Sequence, residues 1–566
     1  MKQIFLRGSR LQSIWQTASF SLAAAALGLL CWAELWPGDI PLNDDWSYGE
    51  GVRHLLATGR LYLPTVCAPG FPHVILGAIF CKFLGFSYGS LRLASLTMTL
   101  LGVTAFYLSA ILVARSRVRA VLFTAVYALN PILVNVGFSF MSDSSGLALN
   151  SIFIYLALMT LKKDAIPLLS AASLALVMGT LVRQSSLLLG IIFVPRLVQP
   201  RDIRINRWCY LLALAPAVYA FIYSDIWLVQ RATRGELLAP DYNLTKQAHH
   251  QFIANFITAS GTQLVRSDQA LFVSFCYLGL FCLPLLPFLI GGLIRTRAQF
   301  SLINILPIAL STITLALAGY QTVIVQGATM PFCENIWRVT SIGAQGIMGI
   351  SHPVLTARER LLLTLISAFI AWLLLALGLR LQISLFKRKP RLISNSLLAV
   401  CATAIAFISL ETAVRATDRY DLFALVPCLL CLLLLSRYLR IIPGAMTWLM
   451  VVMFGLYSVC GCQDYLASNK ARFKLISRLE KQGATFNEID GGAEYNIQND
   501  LNVYGRLTKS GTARDQWRWW PIHGEKYIVS FSPVPGYREI MHEGFFSLLS
   551  LRKQFVVLLE NETRNK

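Results

Sequence analysis

Runs of mostly apolar residues recur along this chain between short polar stretches, each long enough to cross a bilayer as a helix of about twenty residues. The first occupies residues 17–36 and follows the basic residues Lys2, Arg7 and Arg10. Glu34 and Trp36 make a poor cleavage region, so this run reads as an uncleaved anchor rather than a signal peptide. A span at about 90–113 comes before Arg115, Arg117 and Arg119. Further basic groups are Lys162-Lys163, Arg196/Arg201/Arg204/Arg207, Arg295/Arg297, "KRKPR" at 387–391 and Arg437/Arg440. They fall at every second turn, the asymmetry that places such turns in the cytoplasm. The alternate turns hold Asp143, Arg183-Gln184, the loops at 229–268 and 320–359, and "RATDRYD" at 415–421. With a last span at 441–460, the path has about thirteen helices, the N-terminus inside and the C-terminus outside. Residues 165–197 read as a hairpin of two short helices, and 73–85 as an amphipathic segment lying against the membrane.

From Asp464 onward the pattern changes. A helix-like stretch, "NKARFKLISRLEKQG" at 469–483, precedes strand-like runs "YIVSFSP" at 527–533 and "QFVVLLE" at 554–560. The chain therefore divides into a membrane region, 1–462, with outer-face loops at 37–89, 229–268 and 320–359, and a small α/β domain, 463–566, on the outer side. The aromatic cluster "WRWWP" at 517–521 suits a domain core, a membrane-surface anchor or a sugar-stacking platform.

Composition agrees with this path. Of 566 residues, 55% are hydrophobic and 14% charged, and the mean hydropathy is +0.58. A soluble chain of this size needs more charge to cover its surface. The net charge of +21 would point to nucleic acid on a soluble protein. Here the basic residues cluster between apolar runs, which excludes nucleic acid as the partner. The twelve cysteines show no metal-site spacing, and most lie within apolar segments. A Cys67–Cys333 disulfide between outer loops is an open option that no other residue supports. All seven histidines fall on the non-cytoplasmic side of the path, as do Asp44, Asp45, Glu50, Asp143, Asp241, Glu334, Glu411 and Asp418. Groups suited to proton transfer thus gather on one face, although wet loops collect such residues too.

Four stretches carry candidate chemistry. In "IPLNDDWSYGEG", Asp44 and Asp45 follow the first span directly; the alternative is an ordinary wet loop. A short surface helix follows, with a stripe of Val52, Leu55 and Leu56 ended by Gly59. In "ALNPILVNVGFSFMSDSSGLALN", 128–150, Asp143 stands at a helix start, where it or Ser142 could simply cap the helix or help receive a phosphate. In "LVRQSS", Arg183 interrupts an apolar hairpin and calls for an anionic partner, unless it snorkels to the headgroups. In "ETAVRATDRYDLFALVP", Arg415 and Arg419 lie four apart and share one face if helical. Two guanidiniums there fit a phosphate, fixed or in a lipid headgroup.

Taken in order, "NDDWSYGEG", "LLATGRLYLP", "GFPHVILGAIFCKFLGFSYGSLRLASL", "LNP…SFMSDSSGLAL", "VRQSSLLL" and "DRYDLFALVP" resemble the GT-C fold glycosyltransferases that use polyprenyl-phosphate sugars, the protein O-mannosyltransferases and lipid A aminoarabinose transferases. The tail segments "EIDGGAEYNI" and "YIVSFSPVPGY" resemble the soluble ends of bacterial members. The resemblance implies a polytopic GT-C membrane fold with a small extracytoplasmic domain, in a bacterial inner membrane. It implies that Asp44 accepts the proton of the acceptor hydroxyl, with Asp45 its neighbour, and that Asp143 lies near the donor phosphate or a metal. Many family members carry Glu where Asp45 stands. Arg183, Arg415 and Arg419 are the candidates for gripping the phosphate, and Arg419-Tyr420 matches the family pattern best.

The implied partners are a polyprenyl-phosphate sugar, membrane lipids, and a lipid, glycan or protein acceptor. No cofactor is required, though Asp44, Asp45, Asp143 and an outer histidine could supply ligands to a divalent metal. The rival readings are a transporter or flippase of lipid-linked sugars, and a catalytically silent relative. A transporter should carry charges at depth along its pathway, and these charges stay at one surface.

Overall fold

The computed structural model describes residues 38–63, 68–198, 205–233, 261–296, 302–351, 353–386, 392–414, 417–439, 441–499 and 524–562. The predicted first span, the tip of the 229–268 loop, Arg415 and "WRWWP" lie outside these residues, as does Cys67.

Among the described residues, eight helices are long and apolar enough to cross a membrane, or up to ten if two bent pairs each count as one span. The chain is a polytopic helical membrane protein. The two segments of the predicted 165–197 hairpin are the helix Ile166–Val182 and a 3-10 stretch Gln184–Phe193, both shorter than those spans. Leu422–Leu439 runs through the middle of the bundle. In the most apolar 18-residue window of the span that contains it, 83% of residues are buried, against 11% for Ile308–Val325 at the rim. That difference explains why the first is apolar all round while the second leaves Leu310, Ile313 and Leu317 exposed, as a lipid-facing helix does.

Local chemistry sets the helix ends. Ser87 starts Tyr88–Ala114 by accepting the N–H of Ser90. Ser142–Lys163 carries Asp143 in its first turn and Lys162-Lys163 in its last, charges that complement the helix dipole. Arg117–Ala128 does not run straight on but bends by 64° into Pro131–Gly137. Pro131 offers no N–H and forces Asn130 into an extended conformation, while the Asn130 side chain caps the new helix by accepting from Ile132 and Leu133. A second bend, of 63°, falls where Leu283-Pro284 interrupts Gln269–Phe281 and Leu283–Ile294.

The last span does not stop at the membrane surface. Ala445–Lys481 is one helix of 37 residues, and the stretch expected as a separate helix from 469 is its C-terminal part. That part packs Leu475, Ile476 and Leu479 against a four-stranded sheet. The sheet order is β1-β2-β4-β3, with β1 Ile489–Asp490, β2 Tyr527–Ser530, β3 Tyr537–Ser547 and β4 Arg552–Asn561. β1 pairs parallel with β2, and the other pairs are antiparallel. Strands β2 and β4 coincide with the two predicted runs. β3 was not anticipated: most of its residues are not buried, so its sequence lacks a clean alternation. Asp464 ties the hairpin turn to the long helix, accepting from Ser547 Oγ and the N–H groups of Leu548 and Leu549.

Close helix contacts rest on small residues. A Cβ placed on Gly102 would lie 2.8 Å from the Cα of Ala148 on the neighbouring helix, so the two backbones touch there. Gly102→Val is expected to push these helices apart and cost about 1–3 kcal/mol. Thermal unfolding of the purified protein in detergent measures this, and Gly378→Ala, which meets nothing within 4 Å in its helix, should not lower the midpoint.

Candidate functional site

The two adjacent aspartates lie in different environments. Asp45 opens the helix Asp45–Thr58, is fully buried, and meets Arg92 at 2.9 Å. It also accepts the N–H groups of Phe140 and Leu42. Burial pushes its carboxyl up to about 7, against the pull of Arg92 and these two donors. Arg92, itself 1% exposed, also donates to the carbonyls of Gly38 and Ile40. Asp45 thus knits residues 38–43 to the start of Tyr88–Ala114 and to Phe140.

Asp44 is the residue before that helix and spends none of its side chain on capping it. Its carboxylate is 41% exposed and lies 3.1 Å from Arg419 Nη1. The same nitrogen lies 3.8 Å from Asp143, and Asp143 lies 2.7 Å from Arg183. Tyr420 lies beside both guanidiniums, with ring distances of 5.2 Å to Arg183 and 5.7 Å to Arg419. The chain therefore brings Asp44, Asp143, Arg183, Arg419 and Tyr420 together from four separate stretches. Acids and guanidiniums alternate, and each guanidinium keeps an Nε without a hydrogen-bond partner.

Local folding explains why these side chains are free for one another. Ser142–Lys163 is capped by Met141, so neither Ser142 nor Asp143 is its N-cap. Arg183 stands in an extended link between Val182 and the 3-10 stretch. Arg419 lies in the 3-10 turn Asp418–Asp421. Asp418 anchors that turn from below the outer loop, accepting from the N–H groups of Ile336 and Trp337.

A supporting layer surrounds the array. Tyr48 donates to Ser142 Oγ at 2.7 Å, and burial pushes its hydroxyl well above the usual phenol range. His73 stacks on Phe140 with ring centroids 3.9 Å apart. Its Nδ1 is 2.8 Å from Ser145 Oγ and its Nε2 is 3.3 Å from the Phe140 carbonyl. A carbonyl can only accept, so Nε2 carries the proton and Nδ1 accepts from Ser145: the neutral ring completes both bonds. Burial lowers its pKa to about 4.

Among the described residues, no three His, Cys, Asp or Glu side chains converge to hold a metal ion. Asp44 and Asp143 share a guanidinium instead. Arg92 and Tyr48 belong to the site and carry no signal of their own in the sequence. Arg92 stands within an apolar span, and a charge there demands an anionic partner, which is the one sign that could have drawn attention to it.

No protein-family model matches the chain, and no curated protein matches it in sequence. Among solved structures, the chain is similar to ArnT from Cupriavidus metallidurans in the apo state, with 15% identity, a TM-score of 0.38, and 96% of this chain and 98% of that one covered. It is similar to the same protein bound to undecaprenyl phosphate, with 15% identity, a TM-score of 0.39 and coverages of 95% and 98%. It is also similar to the Archaeoglobus fulgidus oligosaccharyltransferase in the apo form, with 14% identity, a TM-score of 0.37 and coverages of 81% and 56%.

The His73 environment gives a pH dependence. Its folded pKa lies below the unfolded value of 6.5, so the folded state favours the neutral ring. That contribution is complete above 6.5 and fades as the pH falls toward 4, by up to about 3 kcal/mol. Acid unfolding followed between pH 7 and 4 should be steeper in the wild type than in His73→Gln, whose side chain does not titrate.

Proposed function

We propose that this protein is an inverting glycosyltransferase of the GT-C type, moving a sugar from a polyprenyl-phosphate donor to an acceptor hydroxyl or phosphate on the extracytoplasmic face. The observation that carries this reading is the exposed carboxylate of Asp44 on a guanidinium that also reaches the Asp143–Arg183 pair. The ordered motifs of the sequence support it. The reading places the protein in a bacterial inner membrane, N-terminus cytoplasmic and residues 463–566 periplasmic.

In this mechanism the donor phosphate lies against Arg183 and Arg419, whose fork-shaped donors match its oxygens. An acceptor hydroxyl is a poor nucleophile at neutral pH. Asp44 takes its proton as the oxygen bonds to the anomeric carbon, and the bond from that carbon to the phosphate oxygen breaks. Attack from the side opposite the phosphate inverts the centre. The departing polyprenyl phosphate gains negative charge, which the two arginines offset where it develops. Asp143 orients Arg183, and Tyr420 limits the planes that both guanidiniums adopt. Asp45 positions the loop and does not touch substrate.

The resting contact between Asp44 and Arg419 has a role here. An arriving phosphate competes with Asp44 for Arg419, and the hydrogen bonds it takes release the Asp44 carboxylate to face the acceptor.

Purified wild type, Asp44→Asn and Arg419→Ala, supplied with labelled polyprenyl-phosphate sugars and envelope extract, test the reading. Asp44→Asn should keep donor binding and lose transfer by about 10²–10⁴-fold. Arg419→Ala should weaken donor binding as well as transfer. Unchanged transfer in Asp44→Asn would discard the base assignment. Donor crossing the membrane with no sugar moved to any acceptor would favour the flippase instead.

A further inference from the structure

We propose that the C-terminal domain positions the base: Glu494, held by Arg472, and the Tyr465 hydroxyl together fix Asn43, the residue immediately before Asp44. The proposal rests on Asp44 being the base for its consequence, and on geometry alone for the linkage.

Asn43 has φ of +52°, the left-handed region that asparagine enters more readily than most residues. Three of its polar groups are taken by three different elements. Its N–H donates to Glu494 Oε1 at 3.3 Å. Its Oδ1 accepts from the Tyr465 hydroxyl at 3.0 Å, and its Nδ2 donates to Asn135 Oδ1 at 3.3 Å. Glu494 opens the short helix Ala493–Asn499 of the domain, 451 positions along the chain from Asn43. Tyr465 belongs to the long helix that enters the domain.

Glu494 is itself held rigidly. Arg472 Nη1 meets its Oε2 at 2.8 Å, and the same arginine donates to the Gly491 carbonyl and to Asn469 Oδ1. Asn43, Tyr465, Arg472 and Glu494 are all buried. Two glycines close over the pair. A Cβ on Gly346 would come within 2.5 Å of Glu494 Oε2, and one on Gly492, where φ is +92°, within 2.0 Å of the Gly346 carbonyl oxygen. Burying an ion pair stabilises a fold poorly, because both charges must leave water. The apolar contacts of Leu475, Ile476, Val529 and Leu558 already join sheet and helix. What the pair adds is a carboxylate oxygen delivered to one backbone N–H beside Asp44, whose own carboxylate must meet Arg419.

Backbone hydrogen exchange on the full chain, read by mass spectrometry with Glu494→Ala, Glu494→Gln and Tyr465→Phe, tests the linkage without requiring turnover. Exchange at residues 40–46 should quicken by about tenfold in Glu494→Ala and Tyr465→Phe, the effect of losing one buried bond to a charged or hydroxyl partner. Glu494→Gln keeps an acceptor for the Asn43 N–H and should fall nearer the wild type. Transfer kcat should drop in the same order, with KM for the polyprenyl-phosphate sugar within about twofold of the wild type, since the phosphate grip lies elsewhere. Unchanged exchange at 40–46 in Glu494→Ala and Tyr465→Phe would overturn the proposal. So would a loss of protection spread evenly through residues 469–499, which would make the pair a stabiliser of the domain. The expected exchange pattern in a protein that transfers no sugar would uphold the linkage and reject the reading of Asp44 as base.

Discussion

A single guanidinium nitrogen of Arg419 faces two carboxylates from distant parts of the chain, Asp44 and Asp143, and the geometry of the site follows from it. Two acids this close would repel if left alone. Arg419 removes that repulsion, and Arg183 completes the neutralisation of Asp143. The result is an array with no net charge, two acids against two bases, that holds its shape before any ligand arrives. The charge it would need for an anionic ligand is already present and only has to change partners.

How this arrangement is held explains much of the surrounding fold. Asp45 and Arg92 fasten residues 38–43. Asp418 fastens the turn that carries Arg419, and the 64° bend at Asn130-Pro131 brings Asn135 to Asn43 and Phe140 to Asp45. In each case a buried polar group serves a backbone N–H or a side chain several elements away. Such groups are costly to bury unpaired, so each constrains where the others can lie.

The sequence disclosed the parts of this design that depend on local pattern. Apolar runs and basic turns gave the helical membrane architecture, and Gly59 ends the short surface helix as expected, with φ of +70°. Asp44, Asp143, Arg183 and Arg419 stood out because charge beside an apolar run needs a reason. Their pairing could not be read, since Asp44 and Arg419 are 375 positions apart and no periodicity links them. Nor could adjacent aspartates be told apart. Only the helix start at Asp45 turns one inward to Arg92 and leaves the other in the open. β3 escaped notice for a related reason: its residues face water on much of both sides, so its place is set by pairing with β4 rather than by its own alternation.

The uninterrupted helix Ala445–Lys481 has a mechanical consequence. At 1.5 Å per residue it is a rod of roughly 55 Å with no proline along it. Its N-terminal part meets the bend near Leu129, where Ser458 donates to the carbonyl, and its C-terminal part is the floor of the sheet. Tyr465 lies on this rod and Glu494 on the domain it carries, so a change in its tilt would be transmitted to the Asn43 backbone as well as to the sheet.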